Sequence, residues 1–289
     1  MTGFRNHREL IEAVEAGQTA TFGWRKAPTQ TTATNIWFDL SMSPGNPIPN
    51  YYAAAPLAAK RLTQSSDGGI FHGAAPGGTM TKHLRRFMAL VSTPTTAVPL
   101  PMILCDYLLY YPFVDMGTTD QQDMTQSETL SRHTDGEGVR IMAVEVAAQI
   151  GGQSFFVSYT NQDGVAGRTT PTVTCNTQVS TGTIISTAAA TNGCAGPFLP
   201  LQQGDTGVRS IESLTMLGAD VGLIALVLVK PKATLGVYDI QAPAEKDFVT
   251  DNPATLPIIQ DDAYLNLICL PSGTIAAGQI MGTIEIVWN

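Results

Sequence analysis

From Val139 to Trp288 the chain is a succession of short apolar or β-branched runs cut by glycine, proline, asparagine and aspartate. The runs are Val139–Ala148, Ser154–Thr160, Thr170–Thr177, Thr183–Thr187, Arg209–Leu217, Val221–Val229, Ala263–Leu270 and Gly278–Trp288. Each has strand length. Gly151–Gly152 and Asp163–Gly164 mark turns between them. This spacing predicts a mainly β protein with a β-sandwich or jelly-roll-like core. Val221–Val229 is apolar on both faces and reads as the central strand, stopped by Lys230 and Pro231. Arg209–Leu217 alternates, but Ile211 and Leu214 break the strict register.

The N-terminal part reads differently. Asn6 with Glu9 forms a capping box, Leu10, Ile11 and Val14 follow at helical spacing, and Gly17 suits the left-handed end. This predicts a short amphipathic helix whose stripe must dock. Asn35–Leu40 reads as one strand. Residues 43–56 carry repeated prolines, which remove backbone donors and keep a segment out of sheet interiors. The expectation is a helix and extended arm over residues 1–60, followed by a β-sandwich core over 61–289 with a smaller subdomain around 61–135. Leu10, Ile11, Val14, Tyr51 and Tyr52 are the candidate interface residues, the tyrosines acting as anchors. Thr81–Val91 fits a helical face through Leu84, Phe87, Met88 and Val91, and a strand almost equally well. Met102–Cys105 and Tyr107–Tyr111 read as strands. In the second, Tyr107, Leu109 and Tyr111 share one face and Leu108 and Tyr110 the other. Met116 to Glu137 reads as a long polar loop.

Charged residues make up 14% of 289 residues, against about 25% in ordinary soluble domains. A surface of neutral polar groups suits a chain with many neighbours, because charges carried into contacts cost desolvation. The net charge of −8 argues against direct nucleic-acid contact. The longest basic cluster, Lys82, His83, Arg85 and Arg86, reads as a solvated face or an interface ridge. No apolar run reaches membrane-span length, and Met1–His7 lacks the apolar stretch of a signal peptide. Both point to a soluble chain made in a cytoplasm. Cys105 and Cys269 read as small core residues. Cys175 and Cys194 could approach each other, but cytosolic synthesis argues against a bridge.

Motifs for chemistry are missing. His7, His72, His83 and His133 form no HExxH pattern and lie by no GxSxG elbow. Asp115, Asp120 and Asp123 do not match a calcium loop, and with Asp135 and Asp261–Asp262 they read as solvated acids. No glycine pair forms a phosphate cradle. The expectation is no enzyme, no catalytic residue, no metal and no cofactor.

Several phrases resemble virion structural proteins of tailed phages: Leu108–Val114 (LLYYPFV), the run from Leu130 to Arg140, Ser158–Arg168 (SYTNQDGVAGR), Pro197–Arg209 (PFLPLQQGDTGVR) and Asp262–Leu267 (DAYLNL). The likeness spans most of the chain from Phe4 to Trp288. It implies a particle component and carries over no site residues. The common major capsid fold resembles a chain with a long spine helix, which this sequence lacks. A capsid cement or decoration protein fits better. The resemblance implies a homo-oligomer, in the manner of trimers on capsid axes, bound to the major capsid protein at the virion surface, with no nucleic acid or membrane contact. The alternatives are a jelly-roll major or minor coat protein, and a neck, tail or glycan-binding component.

Overall fold

The structure, a computed structural model, describes residues 3–74, 80–93, 97–176, 180–185, 196–251 and 256–289. The chain opens with helix α1 (His7–Glu15). Strands β1 (Thr19–Lys26), β2 (Phe38–Asp39), β3 (Gly45–Asn46) and β4 (Lys60–Arg61) follow, then a single helical turn, α2 (Gln64–Asp67). Next come β5 (Lys82–Thr93), β6 (Leu100–Asp115), β7 (Gln122–Asp123), β8 (Arg140–Ala147), β9 (Ser154–Asn161), β10 (Arg168–Thr169) and β11 (Val173–Thr174). The last are β12 (Val208–Met216), β13 (Leu223–Val237), β14 (Ala244–Asp247), β15 (Ile258–Ile259), β16 (Tyr264–Cys269) and β17 (Gln279–Trp288). The protein is mainly β: among the described residues 44% are strand and 7% helix, and the strands form three antiparallel sheets.

Sheet I has the order β14-β5-β17-β1-β3, with β15 also on β5. Sheet II runs β2-β16-β6-β13-β8, with β4 also on β6. Sheet III is β10-β9-β12-β7, with β11 also on β9. The long strands β6 and β13 pair from Leu100–Val237 to Asp115–Leu223 and serve both ends of sheet II. Leu100, Met102, Leu104, Ala233 and Val237 pack with Phe87, Ile280 and Ile284 of sheet I. Farther along, Leu109, Tyr111, Leu226 and Leu228 pack with Val157, Ile211 and Leu214 of sheet III. Two sheets therefore cover successive halves of one face of sheet II.

The opposite face closes on itself. Asp39 N–H donates to Gly182 O at 2.8 Å and Ile184 N–H to Trp37 O at 2.9 Å. On the other side of the same segment, Glu145 N–H donates to Thr183 O and Gly182 N–H to Glu145 O, both at 2.8 Å. Residues 182–184 thus bridge β8 to β2 and turn sheet II into a ring. Cys105, Tyr107, Tyr110, Met142, Val144, Ile184, Val227, Val229, Tyr264 and Ile268 point into it from every wall. Met42, Tyr52 and Leu62 fill it from the segment after β2.

This placement corrects the N-terminal expectation. Residues 1–60 are not an arm laid outside a core. β1 pairs with β17 along its whole length, Thr19 facing Val287 and Lys26 facing Ile280. Trp24 is buried in the core shared by sheets I and II, and Met42, Tyr52 and Leu62 plug the ring. Within residues 43–56 the prolines leave only Gly45–Asn46 to a ladder, as β3 on β1, and the segment buries Ser43, Pro47 and Tyr52 while Ile48 and Tyr51 stay exposed. Residues 81–91 form a strand, because β5 is ladder-paired with β17 and β14. Pro231 does not end β13. It sits opposite Cys105 next to a register shift that releases Lys232, which accommodates the missing donor. A second shift at Leu108 overturns the simple alternation on β6. Tyr107 and Tyr110 face the ring interior while Leu108, Leu109 and Tyr111 face sheet III.

Deleting residues 1–26 is expected to strip β17 of one of its two partners and open the Trp24 core. The shortened chain should aggregate or show no cooperative melt by circular dichroism, where a detached arm would leave the melt unchanged.

Candidate functional site

Among the described residues, ionisable groups concentrate in buried networks. The first lies inside the ring. Asp39 is fully buried at the end of β2. Its carboxylate accepts from Tyr107 Oη at 2.7 Å, Ser41 Oγ at 2.8 Å, Ser41 N at 2.9 Å and from Tyr52 Oη. Burial raises its pKa although these donors work in the other direction. The same burial, with the Asp39 charge, raises Tyr52 and Tyr107 well above the usual phenol value. Lys26, buried at the end of β1, donates to Pro47 O at 2.9 Å and Ser43 O at 3.2 Å. Burial pushes its ammonium down to about 8, against a partial opposing pull from Asp39.

The second network fills the seam between the two cores on the outer face of sheet II. Asp106 lies between Leu104, which faces sheet I, and Leu108, which faces sheet III. Arg132 reaches it from the 116–137 loop, with Nη2 2.9 Å from Oδ1 and Nε 3.2 Å from Oδ2. The same Nη2 donates to Leu62 O and Tyr107 O, both at 3.0 Å. Lys232, the residue released by the β13 shift, places Nζ 3.1 Å from His133 Nε2. Burial would raise the Asp106 carboxyl, but His133 and Arg132 together hold it below the usual carboxylate range. Burial pushes Lys232 down to about 8.

A third group joins β5 to the loop before β16. Lys82 Nζ lies 2.8 Å from Asp261 Oδ1 and 2.9 Å from His72 Nδ1, and His72 Nε2 lies 2.9 Å from Ala263 O. Burial and the neighbouring Lys82 charge lower the His72 pKa. Lys82 and His83 are therefore buried, contrary to the solvated face expected of the basic cluster. Arg85 and Arg86 are met by Glu285, and Arg86 also by Glu245 and Asp247.

The surface presents another kind of group. Ile150, Leu217 and Val221 are 69%, 58% and 48% exposed at one end of the molecule. They are held on clamped loops. Asp220 accepts from Ile150 N at 3.0 Å, Gly151 N at 2.8 Å and Val221 N at 2.8 Å, and Leu217 N donates to Ser154 O at 2.7 Å. At another place Phe71, 65% exposed, stacks edge-on against Phe22 at 5.6 Å.

The sequence-chosen interface residues separate. Leu10 is buried against Val287, with Ala13 and the half-buried Val14 beside it, so the α1 stripe docks on β17 of its own chain. Ile11 and Tyr51 are exposed. Tyr52 is a correction: it is fully buried in the ring because its hydroxyl caps the Asp39 carboxylate. Cys105, Cys175 and Cys269 are buried free thiols, and Cys194 lies outside the described residues. Among the described residues no three of His, Cys, Asp and Glu are grouped to hold a metal. Among the described residues no helix is long and apolar enough to cross a membrane. Sequence reasoning missed the Asp39 and Asp106 networks and the apolar end. The only available signal was a charge inside an apolar run, as at Cys105–Asp106–Tyr107.

Searches of family models, curated proteins and solved structures find no match to this chain.

Two predictions follow from the buried charges. Arg132→Met leaves Asp106 buried without its main partner and should lower unfolding free energy by about 3–5 kcal/mol in urea titrations. Lys26 has its folded value near 8 and its unfolded value at 10.5. Between these the unfolded chain holds more protons, so this residue makes stability rise with pH from about 8 to about 10.5. Lys26→Met should reduce that rise, measured by thermal melting across the same range.

Proposed function

We propose that the chain is a structural subunit of a virus particle, a capsid cement or decoration protein of the tailed-phage kind, that acts by contact and not by bond chemistry. One contrast carries this reading. Perturbed groups such as Asp39, Tyr52, Tyr107 and Asp106 are sealed in the cores, while large apolar side chains stand in solvent on clamped loops. Inside the ring, Asp39, Tyr52, Tyr107 and Tyr264 are each fully buried. Outside, Ile150, Leu217 and Val221 form an apolar end held by Asp220.

Exposed apolar groups of this size favour association, because removing them from water stabilises a complex by about 25 cal/mol per Å². Pre-ordered loops lose little entropy on docking, so more of that gain is retained. The low charge density of the sequence acts in the same direction. The partners in this proposal are further copies of the chain and the major capsid protein, at the virion surface. The paired state of Arg85 and Arg86 and the acidic balance disfavour nucleic acid as a partner.

The test is association with purified particles. The wild-type protein should co-sediment with particles and appear in their mass spectrum. An Ile150→Glu, Leu217→Glu double variant should keep its melting temperature and lose co-sedimentation. A protein absent from particles, or a double variant that binds as well as wild type, would remove the proposal or its contact surface.

A further inference from the structure

Below the apolar end, four buried side chains meet where β8 leads into the loop toward β9 and residues 182–184 run alongside. Glu145 is fully buried, and its Oε1 accepts from Gln149 N at 3.1 Å. Gln149 Nε2 donates to Asn176 O at 3.3 Å, and Asn176 Nδ2 donates to Ile184 O at 3.5 Å. Glu145 N donates to Thr183 O, so these two residues oppose each other across the bridge and their side chains share a face. The hydrogen bonds thus connect Glu145 to Gln149, on to Asn176, and back through residues 183–184.

These contacts decide which atoms remain. The amide nitrogens of Gln149 and Asn176 are turned onto backbone carbonyls, which fixes the orientation of both amides. Glu145 Oε2, Gln149 Oε1 and Thr183 Oγ1 are left buried with no hydrogen-bond partner. The three residues are 0%, 2% and 1% exposed. A buried acceptor left unpaired costs about 1–3 kcal/mol, so three of them on residues joined by one hydrogen-bond chain favour an electropositive guest. Burial, with a smaller push from the nearby Asp220 charge, takes Glu145 up to about 8. Asp220 therefore adds negative potential at the same place.

The donor set selects the guest. All three atoms are oxygens: one carboxylate, one amide carbonyl and one hydroxyl. Hard cations are bound by such oxygens, whereas zinc and copper favour imidazole or thiolate. Cys175 is buried nearby, but burial pushes its thiol up to about 12, so it offers no thiolate at neutral pH.

We propose that Glu145, Gln149 and Thr183 form a binding site for a hard cation of the calcium class, between the end of β8 and residues 182–184. A cation there ties the root of the β8–β9 loop to the segment that closes the ring. It neutralises Glu145, which the protein around it leaves without a counter-charge. The site draws one carboxylate and two neutral oxygens from the chain and so needs no grouping of acids and histidines. The inference stands independently of the particle-subunit reading.

The full-length protein, stripped with a chelator and dialysed, is titrated with calcium chloride at pH 8 by calorimetry and by thermal melting. One site per chain and a saturable rise in melting temperature are expected. Glu145→Gln, close in shape to the native residue, and Thr183→Val should each fold and bind calcium about tenfold or more weakly. The absence of a calcium effect on wild type overturns the proposal, as does an equal effect on Glu145→Gln. A proton as the occupant also overturns it: without any calcium response, wild-type stability would fall between about pH 4.5 and 8, and Glu145→Gln would abolish that fall. The two proposals fail separately, since particle binding is read by sedimentation and cation binding by calorimetry on the isolated protein.

Discussion

The carboxylate of Asp39 sets the terms for the interior of the molecule. A charge with no exposure to water is tolerated only where hydrogen bonds replace its hydration. Here the replacement comes from three directions. Ser41 supplies a backbone and a hydroxyl donor from the turn after β2, Tyr107 one from the wall of the ring, and Tyr52 one from the segment that fills it. None of these can move away without uncovering the charge. Register on β6, the path of residues 40–52 and the end of β2 are therefore settled together. An apolar residue in place of Asp39 would leave the tyrosine hydroxyls unmatched, so the demand runs both ways.

The ring and the seam answer the same difficulty at different scales. A sheet with a free edge invites pairing with other chains. Sheet II avoids this through two short bridges made by residues 182–184, which give β2 and β8 a common neighbour. Its outer face must accept two sheets end to end, and the seam between them leaves room for polar groups. Arg132 and Asp106 occupy that room, and Arg132 also donates to the Leu62 and Tyr107 carbonyls. Buried pairs of this kind add little net stability over a well-packed apolar pair, but breaking one is costly. They favour one arrangement of the sheets over others.

Much of the architecture is legible in the residues. The Asn6 half of the helix cap works as read, with Glu9 N bonded to Asn6 Oδ1 at 3.0 Å, while the Glu9 carboxylate accepts from Arg5 N at 2.8 Å, and Gly17 has the expected positive φ of 75°. The broken alternation at Ile211 and Leu214 corresponds to real register shifts on β12. What stays hidden is whatever depends on distant partners. Nothing local tells Tyr52 from Tyr51, yet one caps a buried carboxylate and the other is exposed. The register shift at Leu108 moves Tyr107 and Tyr110 to one face, and a period of two cannot foresee it. The run from Thr183 reads as a strand, but nothing local says that Thr183 and Ile184 join β2 to β8, on which the ring depends. Burial of Asp39, Asp106 and Glu145 is likewise a tertiary outcome. The prolines likewise do not foretell that Gly45–Asn46 pairs with β1 or that Tyr52 turns inward, because both depend on distant partners.

The shared strands β6 and β13 have a mechanical consequence. All three cores take side chains from this one antiparallel pair, which runs from one end of the molecule to the other. A pull that drew the two strands past each other would load their ladder bonds side by side, and all would have to yield at once. A pull applied across them would open the bonds one after another. The molecule is thus stiff along one axis and softer across it, and the direction in which neighbours tug on it decides how much tension it can bear.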